Sequence, residues 1–271
     1  KFDKPFRKGF SAMLAYTKSL TNRLYDGIGD QPFNTWSLIQ SVSGANSPYL
    51  SYADDNIPDR VIASISYRKE YLKNLATQVS LFWEGGIQGR FTYSYSRDFN
   101  RDGTNADPIY IPKDPSEITF QSQTVNGVVY TAQQQSDLFF AYIEQDKYLR
   151  THKGQYAERN GAQIPWRNQF DLRVVQDLFT NIGKSKNTIQ FSVDIFNFGN
   201  MLNPKWGELK TINASSILVP RNEASLVAGG TVKPEFWLAT DRGQIITKTF
   251  RDNQTVSSTY YMQFGLRYLF N

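Results

Sequence analysis

The last stretch of the chain, Tyr260 to Phe270, alternates apolar and polar residues without a break. Tyr260, Met262, Phe264, Leu266, Tyr268 and Phe270 fall on one side; Tyr261, Gln263, Gly265 and Arg267 fall on the other. Successive side chains of a strand point to opposite faces, so this period specifies a two-faced β-strand. Five earlier segments carry the same period. Phe10, Ala12, Leu14 and Tyr16 share one face of the first, and Val61, Ala63, Ile65 and Tyr67 one face of the second. Leu75, Thr77, Val79, Leu81 and Trp83 open the third, whose parity resumes after Gly85-Gly86 and Gly89 in Phe91, Tyr93 and Tyr95. One long strand with a glycine kink, or two hairpin strands, satisfies that run. The fourth (about 168–179) sets Phe170, Leu172 and Val174 against Gln169, Asp171 and Arg173; the fifth (about 187–198) sets Ile189, Phe191, Val193 and Ile195 against Gln190, Ser192 and Asp194.

The connections decide how such strands are used. Two links are short: Tyr71 to Leu75, and Thr180 to Lys186. The other three hold about 40, 70 and 60 residues, which is long for loops inside a compact soluble domain. Short and long links alternate, as in a transmembrane barrel with tight turns on one side and long loops on the other. Composition agrees. No apolar run is long enough for a spanning helix, but a spanning strand shows lipid only its alternate residues, so a mean hydropathy of −0.49 does not exclude a bilayer. Aromatics are 15% of the chain and cysteine is absent, which removes disulfides and thiol chemistry. The net charge of +5 comes from scattered Lys and Arg with no basic block, so nucleic acid is not an expected partner. The expected fold is all-β: six or so antiparallel strands of a transmembrane barrel. Six strands cannot close one, since the smallest have about eight. The opening Lys1-Phe2-Asp3-Lys4 has no initiator methionine, and we read residues 1–271 as the later part of a longer chain.

Particular residues sharpen this. The run Gln169-Phe170-Asp171-Leu172-Arg173-Val174-Val175-Gln176-Asp177 resembles the end region of TonB-dependent outer-membrane transporters of the Bacteroidetes. So does Phe191-Ser192-Val193-Asp194-Ile195-Phe196-Asn197-Phe198-Gly199-Asn200-Met201-Leu202-Asn203, followed by Trp206-Gly207. Tyr148-Leu149-Arg150, Gly154-Gln155-Tyr156-Ala157-Glu158-Arg159-Asn160-Gly161 and Pro165-Trp166 resemble the Oar-like branch, whose members carry a carboxypeptidase-regulatory-like N-terminal domain. The resemblance implies a barrel of about 22 strands in the outer membrane, of the kind built with long outer loops. It also implies a plug, and a TonB box coupling transport to the TonB complex, neither within these residues. The last strand fits the outer-membrane assembly signal, with Gln263, Gly265, Tyr268 and Phe270 offered to the assembly machinery's sheet edge. Asn271, after the final aromatic, departs from that pattern. A surface lipoprotein is a further possible partner. The competing class is a soluble or surface β-sandwich adhesin whose aromatic loops contact protein or glycan.

Among single sites, Asp98, Asn100 and Asp102 stand at positions 1, 3 and 5 before Gly103, as at the start of a calcium loop. Thr104 would add a carbonyl and Asp107 a late carboxylate, although Ile109 occupies the place of the usual bidentate Glu. The same composition also builds an ordinary polar turn. His152 is the sole histidine, which excludes a histidine-based triad or two-histidine metal site and makes an enzyme the least expected class. Asp54-Asp55 reads as a turn. Tyr16, Tyr67, Tyr71, Trp83, Phe179, Tyr268 and Phe270, near strand ends, are expected to form aromatic girdles. Trp36, Tyr49, Tyr52, Tyr110, Tyr142, Trp166, Trp206 and Trp237 are expected in loops.

Overall fold

The computed structural model describes residues 1–27, 29–182, 185–226 and 231–270. Its centre is a seven-stranded antiparallel sheet. The strands are β1 (Phe2–Arg7), β2 (Phe10–Lys18), β3 (Asp59–Tyr71), β4 (Leu75–Ile87), β5 (Trp166–Ile182), β6 (Ser185–Phe196) and β7 (Tyr261–Phe270). Each pairs with the next in chain order, giving an up-and-down meander with no crossover. The sequence reading of six strands missed β1. Its alternation is interrupted by Pro5, and the hairpin signal is only Lys8-Gly9, where both residues take positive φ as a two-residue primed turn requires. A Cβ on Gly9 would lie 2.4 Å from the Arg68 carbonyl oxygen, so the turn accepts glycine alone.

Register carries the two-faced pattern across the sheet. Leu14, Ala63 and Trp83 stand abreast, continued by Phe170. Ile65, Leu81, Leu172, Ile195 and Met262 form the next row, and Tyr67, Val79, Val174, Val193 and Phe264 the one after. A one-residue slip anywhere would move a strand's whole apolar set to the other face, so this agreement over the five interfaces from β2 to β7 fixes the register. Nothing in the described chain covers the apolar face. Leu14, Ile65 and Phe191, on three different inner strands, stay 48%, 46% and 45% exposed. The opposite face carries the ions and is closer packed: Asp177 is only 3% exposed.

The tight links Lys8-Gly9 and 72–74 lie at one end of the sheet, where Ile182 and Ser185 also pair; residues 183 and 184 lie outside the described ones. The connections 19–58, 88–165 and 197–260 all leave the other end. They fold into a cap. It holds helices α1 (Pro32–Ser37), α2 (Ala132–Gln145), α3 (Lys147–Thr151) and α4 (Phe198–Leu202), with several two- to four-residue ladders. The main apolar core sits there, not on the sheet. Tyr93, Ile109, Phe120, Phe139, Ile143, Leu218, Phe236 and Leu238 are all buried in it, and every core member comes from 88–165 or 197–260.

The third strand resolves the kink-or-hairpin alternative differently from either reading. β4 ends at Ile87; Gly89 turns the chain, and Arg90–Phe91 pairs with Ala162–Gln163 inside the cap. Phe91, Tyr93 and Tyr95 keep the strand's parity but leave its sheet.

Candidate functional site

The chemistry-bearing surface is the polar face of the sheet. Arg68 Nη1 donates to Asp177 Oδ2 at 2.6 Å, and Gln190 Nε2 to Asp177 Oδ1 at 2.8 Å. Arg60 Nε donates to Glu84 Oε1 at 2.8 Å, and Arg173 Nε stands 3.5 Å from Asp194 Oδ1. The Gln190, Arg60 and Arg173 contacts bridge neighbouring strands, as complementary groups on one face of a sheet do favourably, while Arg68 reaches Asp177 across the intervening β4. Near the cap the face opens into a cleft of about 230 Å³ lined by Arg60, Glu84, Arg167 and Gln169. A shallower one of about 180 Å³ lies lower, between Ser64, Ser80, Asp171, Arg173 and Asp194. Such a surface offers hydrogen-bond donors, acceptors and charge of both signs to a polar solute. No nucleophile–base pair appears on it among the described contacts.

The cap is tied down by buried polar hubs. Asp146 caps α3 by accepting from Tyr148 N and Leu149 N, both at 2.9 Å, and also accepts from Tyr93 Oη at 2.8 Å and Thr249 Oγ1 at 2.7 Å. It thereby joins 88–165 to 197–260. Arg159, 2% exposed, does the same for 19–58: it donates to the Leu24, Arg23 and Tyr49 carbonyls at 2.9, 2.5 and 3.2 Å, with Asp26 Oδ2 3.6 Å from its Nε. Arg90 reaches Asn56 O and Asn160 O at 3.1 and 3.0 Å. The Ala157–Gly161 stretch of the resemblance is therefore a clasp between connections. Burial raises the Tyr93, Tyr95 and Tyr148 phenols far above their usual range and pushes Tyr142 up to about 12. The Tyr142 hydroxyl lies beside those of Tyr93 and Thr249 without a well-aligned partner among the described residues.

The acidic loop is drawn together by its own backbone. Asp98 accepts from Asp102 N and Gly103 N at 3.1 and 2.9 Å; Asn100 Oδ1 accepts from Asp102 N at 2.9 Å. Asp102 Oδ1 accepts from Thr104 N and Oγ1 at 2.9 and 2.8 Å, and Asp107 Oδ2 from Phe99 N at 2.6 Å. Burial pulls the Asp102 pKa upward, but donors from Thr104, Asn100 and Ala45 outweigh it and hold the carboxyl below its ordinary value. Burial raises that of Asp107. No group of three or more acidic or histidine side chains converges to hold a metal among the described residues. His152 ends α3, stacked on Tyr148 at 4.1 Å, and Asp54 and Asp55 pair with Arg23 in a turn.

On β7, Gln263 stands opposite Asp194 and Gly265 opposite Ser192, on the polar face; Tyr268 and Phe270 are on the apolar one. A Cβ on Gly265 would meet Ser192 Oγ at 2.5 Å. Tyr268 Oη donates to Asn187 Oδ1 at 2.6 Å. Asn271 lies outside the described residues.

The expected aromatic rims need two corrections. Phe179 is on the polar face, with Arg68 6.0 Å above its ring, because its odd number opposes the even residues of β5 that form the apolar face. Trp166 is the first residue of β5, not a loop residue. On the apolar face, Tyr67, Tyr71, Tyr268 and Phe270 lie towards the turn end, and Tyr16, Trp83 and Trp166 towards the cap. Sequence reading also missed why the segment 197–207 is built as it is. Asn197, at positive φ, donates to the Gly207 and Ser258 carbonyls at 3.2 and 3.1 Å, and Asn200 to those of Pro204 and Trp206 at 2.8 and 3.1 Å. Only glycine fits at 207, where a Cβ would fall 1.9 Å from Asn197 Oδ1. The asparagines brace a knot that presents Lys205 and Trp206 at the rim. The density of Asn, Gly and Pro there was the available signal.

Comparison with protein families, with curated proteins and with solved structures finds no match for this chain.

Proposed function

We propose that the chain is a segment of the barrel of an outer-membrane TonB-dependent transporter. The observation that carries this reading is the inside-out sheet: a face left uncovered that is apolar apart from the row Lys69, Thr77 and Gln176, an ion-paired face opposite, and every long connection at one end. Each large apolar side chain on that face forgoes about 1.5–3 kcal/mol if it stays in water. Lipid supplies the missing cover. From Leu75 to Trp83 the apolar band runs eight steps, about 26 Å along the strand and about 20 Å when tilted by 40°, near the height of a barrel's lipid-facing band. In this reading β1 and β7 pair with further strands, because a bilayer does not tolerate open edges. The polar face then lines the lumen, and its clefts contribute to the path of a polar solute. The cap lies outside the cell. The motifs around Asp171, Asn197 and Arg159 supply the resemblance to the TonB-dependent family. The acidic loop fits a role in stiffening the cap with bound calcium. TonB, the assembly machinery through β7, and a surface lipoprotein are the expected partners.

The test is fractionation with heat-modifiable mobility. The intact protein should sit in the outer-membrane fraction and migrate faster unheated than boiled. Recovery as a soluble monomer without detergent would sink the proposal and favour a β-sandwich.

A further inference from the structure

We propose that the aromatic cleft at the cap-side rim of the apolar face binds the phosphorylated sugar headgroup of an outer-leaflet glycolipid; this inference rests on the membrane reading above. The cleft holds about 580 Å³ between Trp83, Trp166, Phe170, Lys205 and Trp206, a volume suited to a small ligand. Its rings are fixed. Trp83 and Phe170 stack at 6.1 Å with planes 13° apart. The indole N–H groups of Trp83 and Trp166 both donate to Asn168 Oδ1, at 3.1 and 3.0 Å. With their donors spent on one acceptor, these two rings have mainly their faces and edges to offer a ligand, which suits the C–H faces of a sugar.

Trp206 is different. It is 55% exposed, held out by the asparagine knot, with Arg167 clamping the adjacent Gly207 carbonyl at 2.8 Å. One edge of the ring packs near Gly199, and the rest of this large aromatic stays open to a ligand. Beside it, the Lys205 ammonium has no ion-pair partner among the described residues, whereas Lys210 nearby is engaged by Glu208 and Asp252. Arg167, also without an ion pair among the described residues, spends Nε and Nη2 on the Gly207 and Ser257 carbonyls, which leaves the Lys205 ammonium as the cation best placed for an external anion. The position selects the source of that anion. The cleft opens where the uncovered apolar face meets the polar cap, with exposed Leu202 next to the knot. A ligand there has acyl chains along the sheet and a charged headgroup level with the tryptophans, as aromatic belts place them.

The intact protein, purified in mild detergent and reconstituted in nanodiscs, is examined by native mass spectrometry with phosphorylated lipid A or phosphatidylethanolamine. The wild type should retain lipid A about tenfold better than phosphatidylethanolamine, and Trp206→Ala and Lys205→Glu should each remove most of that preference. Heat-modifiable mobility of both variants should stay as in the wild type, which separates a lost site from a lost fold. Equal retention of the two lipids, or preference unchanged in both variants, overturns the proposal. Equally tight binding of soluble glucosamine 1-phosphate overturns the lipid source. A wild type that never enters a bilayer overturns the membrane reading, and this inference with it.

Discussion

The sheet and the cap are built from the same chain by opposite rules. In the cap, Phe139, Tyr142, Ile143 and Leu218 point inward to one another, and the buried Asp146 and Arg159 side chains are held by hydrogen bonds that tie the connections together. In the sheet, Ile65, Val193 and Phe264 point outward while Arg68, Asp177 and Arg173 occupy the closer-packed face. A globular core stabilises the first in water. The second owes its order to backbone ladders and to whatever covers its apolar side. The same side-chain types therefore carry different meaning on the two sides of one turn: beyond β4 the chain passes from one environment into the other at Gly89.

The largest expected break in this comparison is Phe139→Ala. Truncating a fully buried aromatic costs about 3–5 kcal/mol, and here the loss should be confined to the cap. Limited proteolysis should cut within 88–165 while heat-modifiable mobility persists; loss of both together would show a single cooperative unit. Next is Leu81→Arg, which should cost about 2–4 kcal/mol in a bilayer. Ser64→Arg, on the other face beside Asp171 and Asp194, should stay within about 0.5 kcal/mol. Urea unfolding from vesicles measures both, and equal costs would remove the distinction between faces.

A third test uses pH. The Tyr142 phenol is raised in the folded state to about 12, and its unfolded value is near 10. Between those values the folded chain holds more protons than the unfolded one, so stability falls as pH rises through that window. The stabilising contribution is complete below pH of about 10. Near-ultraviolet circular dichroism of the cap aromatics should decline over that range; an unchanged signal to pH 12 would contradict the burial of Tyr142. The smallest effect is expected from calcium. At an affinity of 0.1–1 mM, usual for extracellular modules, 1 mM calcium would stabilise the cap by about 0.4–1.4 kcal/mol. Asp102→Asn should abolish the shift in a thermal melt, and no shift in the wild type leaves the loop a hydrogen-bonded turn.

Legibility in the sequence followed the same division. Period-two alternation placed β2 to β7 and assigned their faces, because along those strands one face is apolar and the other polar with little else competing for the residues. It failed where another constraint took over. Pro5 hid β1, and Phe179 was assigned by its place near a strand end when its parity already put it on the polar face. The cap was hardly readable. Its core joins Phe120 to Phe236 and Tyr93 to Thr249, pairings that no local period encodes. One local signal was present and unread: Thr131 and Gln134 form a reciprocal capping box at the start of α2. Of the candidate sites, the acidic loop was found as a cluster, whereas the Arg159 clasp and the Asn197–Gly207 knot needed the fold to show what their unusual residues touch.

The way the cap is stitched also sets a timetable. Asp146 meets Thr249 across 103 positions, and Phe120 lies in parallel beside Phe236. Non-local closures of this kind are slow because chain entropy is lost before contacts return it. The core of 88–165 therefore cannot be completed until 217–250 has come to lie against it. Up to that moment its aromatic residues remain unprotected, so the long connection that leads to β7 is also the piece that closes the core of the cap.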